Sequence, residues 1–445
     1  MTFEIQNLSV RDLADRFGTP LYLYDGDVLA GQYQGLRARL HGDVEIFYSM
    51  KANPNVAVCQ LLHRLGARAE VSSMVELVTA QRAGVPADEI MFLGPGKSEE
   101  ELAACARGEA GLFVAESFGE LDRYDAMVAE AGGHGRTLIR VNPAFSVKGA
   151  GLTMGGKARQ FGIDEDQLMR SGPAAERWPH LRIAGVQAYM GTRILQEAAV
   201  VADTTQIMAM AERITAALGC ALDVVDVGGG LGIAYFEGER DLDVDVLAAG
   251  LNPVVDDFRR RHPHTRVLME LGRYLTAPAG TYVVRVRYVK DSHGEPFAVA
   301  DGGTNHHMAA VGIGSFVKRN FPVALLSRDA ADDNRPWNIS GPLCTPNDLL
   351  VKRAVLPALR PGDLLGIGRS GAYGPSASPG LFLSHGFPAE VLVLDGVAHL
   401  VRRRDAVADL IQTQFVIDLE GRTGDSGERR HQGAGAGAGA GAAGR

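Results

Sequence analysis

Between Val44 and Glu270 the chain alternates short apolar runs with longer stretches whose apolar residues return every three to four positions. The first pattern predicts strands and the second amphipathic helices. Predicted strands are Val44–Ser49, Ala67–Val71, Ile90–Leu93, Gly111–Ala115, Thr137–Val141, Ile183–Ala188, Asp223–Val227 and Val267–Glu270. Helical patterns between them include Asn55–Leu65, Ser73–Ala83, Glu99–Ala106, Phe118–Ala131, Gln196–Leu218 and Val244–Arg261. Ser98 followed by Glu101, and Ser117 followed by Glu120, have the spacing of capping boxes at two helix starts. Strand–helix alternation implies a parallel sheet, and eight units suggest closure into a (β/α)8 barrel, an open doubly wound sheet being the competing α/β fold.

Outside that region the pattern changes. A helix is expected around Val10–Phe17 and a strand at Leu21–Tyr24. Past Tyr274 the runs Thr281–Val289, Phe297–Ala300, Ala354–Leu359, Asp363–Ile367 and Ala389–Leu394 read as strands of a separate β domain. The expected organisation is therefore a segment 1–30 that joins the β domain, a barrel over 31–275, the β domain over 276–415, and a tail over 416–445. The tail ends in a glycine–alanine repeat that cannot bury enough apolar surface to order itself. Gly149–Gly156, in the long gap after the fifth strand, is a candidate active-site loop.

Composition narrows the function classes. With 53 acidic against 45 basic residues the net charge is −8, which argues against a general nucleic-acid binder. No apolar run approaches a membrane span, and the first residues lack a signal-peptide pattern, so a cytoplasmic protein is expected. Cys59, Cys105, Cys220 and Cys344 include no Cys-x-x-Cys pair, so they read as reduced thiols. Neighbouring His306 and His307 lack a third ligand pattern, so they read as lining or packing residues and no metal site is expected.

In a (β/α)8 barrel the chemistry sits at the C-terminal ends of the strands, with phosphate often bound after strands seven and eight. Lys51 follows strand one, beside Pro54, which can open a helix. A partly desolvated amine there would have a lowered pKa and could condense with an aldehyde. Glu70 ends strand two, and Tyr189 follows strand six. Strand seven runs into Gly228-Gly229-Gly230-Leu231-Gly232, and strand eight into Glu270-Leu271-Gly272-Arg273. Glycines let backbone N–H groups approach a phosphate, and Arg273 offers a charged fork. A reactive lysine, a phosphate cradle and a carboxylate at one mouth suggest pyridoxal phosphate, with Glu270 as the acidic partner of its ring nitrogen.

The ordered set YSMKAN, AEVSSMVEL, LGPGK, DVGGGLG, ELGR, GPLCTPND and SGAYG resembles the fold-type III pyridoxal-phosphate decarboxylases, which act on ornithine, arginine or diaminopimelate. The resemblance covers about residues 18–405. It implies an alanine-racemase-like barrel and a homodimer whose active sites lie between one barrel and the partner's β domain. It implies Lys51 as the cofactor-bearing lysine, with Glu70, Tyr189, Thr192, Gly229, Gly230, Glu270, Gly272, Arg273 and Tyr373 around the cofactor. Cys344 would come from the other subunit to protonate the carbanion after carbon dioxide leaves. A racemase of the same barrel type would instead set arginine against the ring nitrogen.

Two departures bear on the substrate. Tyr189 stands where the family usually places a histidine over the ring, which keeps stacking without a titratable charge. Thr345 stands where an acidic residue usually holds the substrate's far ammonium, which disfavours a free diamino acid. The strings GGKARQFG, DGGTNHH and GPLCTPND resemble the branch that decarboxylates aminoacyl groups on carrier proteins in antibiotic biosynthesis. That resemblance implies a carrier protein as partner, a glutamyl or 3-methylaspartyl-like substrate, and Arg159 and Thr345 as substrate contacts. Carrier proteins are usually acidic, so docking on this acidic chain would need a local basic patch.

Overall fold

The computed structural model describes residues 3–145, 152–153, 155–312, 318–329 and 333–417. The tail from residue 418 and half of Gly149–Gly156 lie outside the described residues.

Eight parallel strands close on themselves: Val44–Ser49, Arg68–Val71, Ile90–Phe92, Leu112–Ala115, Gly135–Asn142, Leu181–Gln187, Val224–Gly229 and Arg266–Leu271. Each pairs with the next, and the eighth returns to the first with Leu271 opposite Tyr48. Nearly every position along them is buried, because barrel strands face packed side chains inside and helices outside. That double burial is why they read as continuous apolar runs and why their bounds were legible within a residue or two.

The helices begin where side chains can satisfy their first N–H groups. Ser98 and Glu101 form the full reciprocal capping box. At the next helix Ser117 accepts from the Glu120 amide, but the Glu120 carboxylate turns to the Glu116 amide and the Lys97 ammonium, so the expected box is only half made. Pro54 does not open a helix. A single 3-10 turn, Met50–Ala52, follows the first strand, and the helix starts at Val56 with Asn55 as its cap. The helix Gly26–Arg37 was not predicted, since its three glycines dilute the apolar period.

A second sheet runs in the order Leu349–Leu356, Arg335–Ser340, Glu295–Ala300, Gly280–Ser292, Leu21–Asp25, Ala389–Leu394, Val397–Arg402. Leu21–Asp25 is antiparallel to Gly280–Ser292 and parallel to Ala389–Leu394. Its Tyr22 ring stacks on Tyr282 with centroids 4.7 Å apart. Tyr22, Tyr48 and Tyr282 belong to one continuous apolar core that passes from the barrel into this sheet. The strand expected at Ala354–Leu359 lies earlier, at Leu349–Leu356, because its solvent-facing half carries Lys352 and Arg353 and so hides the apolar signal. Arg335–Ser340 was missed for the same reason, whereas Val397–Arg402 has no buried face to give an alternation, with Val397 and Leu400 both exposed.

Residues 406–445 form a second unit, whose described part, 406–417, contains a short helix, Val407–Ile411. Among the described residues, no helix is long and apolar enough to cross a membrane.

Candidate active site

The C-terminal ends of the barrel strands bring most of the predicted residues to one place. Ser49, Lys51, Tyr189, Thr192, Gly230 and Glu270 line a cavity that Gly272, Arg273 and Tyr373 complete. The 3-10 turn after the first strand lifts Lys51 out of the sheet, and its side chain remains 37% exposed toward the mouth. Its Nζ donates to both oxygens of Glu70, at 2.9 and 2.8 Å.

The electrostatics of that pair correct the sequence reading. Desolvation lowers the Lys51 pKa, as expected, but the Glu70 and Glu270 carboxylates outweigh it and hold the ammonium above its usual value. Burial pushes Glu70 the other way, yet the Lys51 ammonium and hydrogen bonds from Lys51, Ser49 and Ser72 keep it below the usual carboxylate range. In this state the lysine is a paired cation. To act as a nucleophile it must give up a proton, and Glu70 is the acceptor within reach.

Glu270 stands on the strand that pairs with the one before Lys51, where it lies in register with Phe47. It is buried at the end of strand eight and accepts from Gln187 Nε2 at 2.9 Å. Burial first, then the Glu70 charge, raise its pKa, against the pull of Lys51. The Tyr189 phenol, hydrogen-bonded with Thr192, is pushed up to about 12 by burial and so presents a neutral ring to the cavity.

The glycine turn after strand seven has a steric reason. A Cβ on Gly229 would stand 1.8 Å from the Glu270 carbonyl oxygen, and one on Gly230, at φ +75°, would stand 2.0 Å from the Gly191 carbonyl oxygen. Only glycine allows the backbone this close. Gly230 lines the Lys51 cavity, whereas Gly229 faces a neighbouring one lined by Met190, Asp203 and Met269. Arg273 Nη1 donates to Tyr235 Oη at 3.0 Å, and its guanidinium lies 4.5 Å over the Tyr373 ring. Its Nε is buried without a hydrogen-bond partner. A guanidinium N–H still wanting an acceptor, in a cavity that Gly230 also lines, fits a phosphate group. The Tyr373 amide, in turn, donates to the Ala52 carbonyl at 2.7 Å, which ties the SGAYG loop to the lysine turn.

Three predicted residues stand apart from this cavity. Cys344 is exposed, in the turn beyond Arg335–Ser340, while Cys59 and Cys105 are buried and Cys220 half-buried. Thr345 follows it in the same turn, and its Oγ1 accepts from the Asn347 amide at 3.3 Å. Neither lines the Lys51 cavity. Arg159 is exposed on the segment beyond the glycine-rich stretch. That stretch returns to the site at its described end, where Leu152–Thr153 pairs with Gly191–Thr192. His306 and His307 are packing residues: His306 lies between the Tyr282 hydroxyl and the Gly386 carbonyl, and His307 meets Ser370 Oγ at 2.8 Å.

Ser49, Gln187, Asp226 and Tyr235 were not singled out from the sequence. For Gln187 and Asp226 a signal existed, since each is a polar residue directly beside apolar neighbours in a barrel strand.

Residues 28–277 match the family described as the pyridoxal-binding domain of pyridoxal-dependent decarboxylases. The L-glutamyl-(BtrI acyl-carrier protein) decarboxylase of Niallia circulans is 35% identical over 92% of this chain and 97% of its own length. The diaminopimelate decarboxylase of Deinococcus radiodurans is 33% identical over 90% of this chain and 97% of its own. Among solved structures, the diaminopimelate decarboxylase of Helicobacter pylori complexed with L-lysine superposes with a TM-score of 0.82 at 27% identity, covering 91% of this chain and 98% of that one.

Proposed function

The chain belongs to the pyridoxal-dependent decarboxylases, and from that membership we propose that its substrate is an acidic L-aminoacyl group, glutamyl or 3-methylaspartyl-like, held as a thioester on a carrier protein. When bound, pyridoxal phosphate supplies the electron sink for the negative charge left on the α-carbon as carbon dioxide departs. Lys51 would hold the cofactor, Gly230 and Arg273 its phosphate, and Glu270 its ring nitrogen, with Tyr189 across the ring. Glu70 pairs with the Lys51 amine and orients it. Cys344, brought by a second copy of the chain, protonates the α-carbon, which needs an exposed thiol such as this one.

The observation that carries the substrate reading is the chemistry of the Cys344 turn. A free diamino acid needs an anion for its far ammonium, because a buried unpaired charge is costly. Thr345 offers none. The nearest acid in the turn, Asp348, is buried, and both its oxygens are occupied: Oδ1 accepts from the Thr304 amide and hydroxyl, and Oδ2 from the Leu343 amide. That carboxylate holds the turn and has no room for a substrate cation. A thioester at the far end carries no charge and asks for none.

Several relatives at similar identity are named diaminopimelate decarboxylases, so the free diamino acid is the rival to test. Intact-mass spectrometry of a carrier protein loaded with glutamyl or 3-methylaspartyl groups, after incubation with enzyme and pyridoxal phosphate, should show loss of carbon dioxide. Matching free amino acids, with diaminopimelate and ornithine, run alongside. Turnover confined to a free diamino acid would refute the thioester reading and leave the decarboxylase in place.

A further inference from the structure

Three buried polar side chains meet where barrel strands six, seven and eight run side by side. Gln187 and Asp226 are fully buried and directly paired in register, and Glu270 stands on the next strand. Gln187 Nε2 donates to Glu270 Oε1 at 2.9 Å. Asp226 Oδ1 accepts from the Gly228 amide at 2.9 Å. Asp226 Oδ2, however, is sealed from solvent and has no donor in reach. Its neighbour is the Glu270 carboxylate. An ionised Asp226 would thus combine an unsatisfied buried oxygen with repulsion from a second buried anion. One proton removes both difficulties, because it turns that oxygen into a donor facing an acceptor.

We propose that Asp226 is a positioning residue: an un-ionised carboxyl group that donates a hydrogen bond to Glu270 and, with Gln187, fixes that carboxylate toward the cofactor's ring nitrogen. The role rests on the placement of Glu270 against that nitrogen. The surroundings support it. Burial, then the facing Glu270 and the Glu70 charge, hold Asp226 well above the usual carboxylate range. Around Glu270 stand Glu70, Lys51 and Arg140, whose two cations favour its charged form. The proton therefore belongs on Asp226 and the negative charge on Glu270. Two donors from two different strands leave the carboxylate one orientation, and the Gly228 amide ties the arrangement to the glycine turn that cradles the phosphate.

The test begins without cofactor. Infrared difference spectra of the apo protein at neutral pH, wild type minus Asp226→Asn, should contain the carbonyl stretch of one un-ionised carboxyl group. Asparagine keeps both the acceptor for Gly228 and a donor for Glu270, so D226N should bind pyridoxal phosphate within about threefold of wild type. Asp226→Leu removes the donor and should weaken binding about tenfold or more. It should also move the pH midpoint at which the bound cofactor's absorbance changes. Absence of the band, or equal impairment of D226N and D226L, would overturn the inference. A Glu270→Gln variant whose bound cofactor is spectrally unchanged would overturn it too, and would place the fault in Glu270 rather than Asp226.

Discussion

The barrel mouth and the Cys344 turn are built on opposite terms. Around Lys51 the charges are crowded and matched, with Glu70 as a bidentate partner, Glu270 on the neighbouring strand and Arg273 braced by Tyr235 and Tyr373. Around Cys344 the thiol is exposed, and the buried Asp348 carboxylate ties its turn at Leu343 to Thr304. A single chain completes the first region and leaves the second facing outward. The proposed division of labour rests on this difference: the mouth would hold the cofactor, and the turn would serve the mouth of a second copy.

Removing the lysine should have the largest effect. Lys51→Ala is expected to abolish turnover and the visible absorbance of bound cofactor together; persistence of that absorbance would remove Lys51 from its assigned place. It also leaves Glu70 and Glu270 buried without their cation, so the variant's fold should be checked by circular dichroism.

Cys344→Ala should break the comparison in the other direction. It is expected to keep the absorbance and lower kcat by about 10²- to 10⁴-fold, the span for losing a positioned proton donor. Mixing it with Lys51→Ala after reversible dissociation should restore activity, because each mixed dimer holds one site with both residues intact. Mixtures that stay inactive would argue that each chain uses its own cysteine.

A smaller change is expected at Arg273. Arg273→Ala should raise the dissociation constant for pyridoxal phosphate about 10- to 100-fold, the range for a lost charged hydrogen bond, with little effect on kcat once the site is saturated. An unchanged constant would move the phosphate away from the Gly230 turn.

The mildest prediction concerns the second sheet. Burial holds His306 down to about 4 and His307 to about 3. An unfolded histidine titrates near 6.5, so below that pH the unfolded chain binds protons that the folded one refuses. Stability supplied at neutral pH should therefore fall as pH drops from about 6.5 toward 4. Urea midpoints measured across that window should decline, and replacing both histidines with glutamine should flatten the decline.

How much was legible beforehand follows from how local each cause is. Barrel strands buried on both faces announce themselves as apolar runs, and the helix Glu99–Ala106 announces itself through Ser98 and Glu101. Strands with a wet face, such as Arg335–Ser340, do not. Lys51, Glu270 and Arg273 were found because strand ends in a barrel converge on one mouth. Asp226 and Gln187 were passed over because their significance lies in what faces them across neighbouring strands.

The sequence by itself determined the alternation, hence the parallel barrel, and the residue types that reach its mouth, hence the chemistry they can perform. The tertiary structure alone decided the charge states. Both an ammonium beside a carboxylate and a carboxyl group beside a second carboxylate are pushed up, which keeps the first charged and favours the neutral form of the second, and their partners lie 19 and 44 residues away, at Glu70 for Lys51 and at Glu270 for Asp226. Electrostatic energy depends on separation in space and on how much water remains between the charges, and neither quantity is written along the chain.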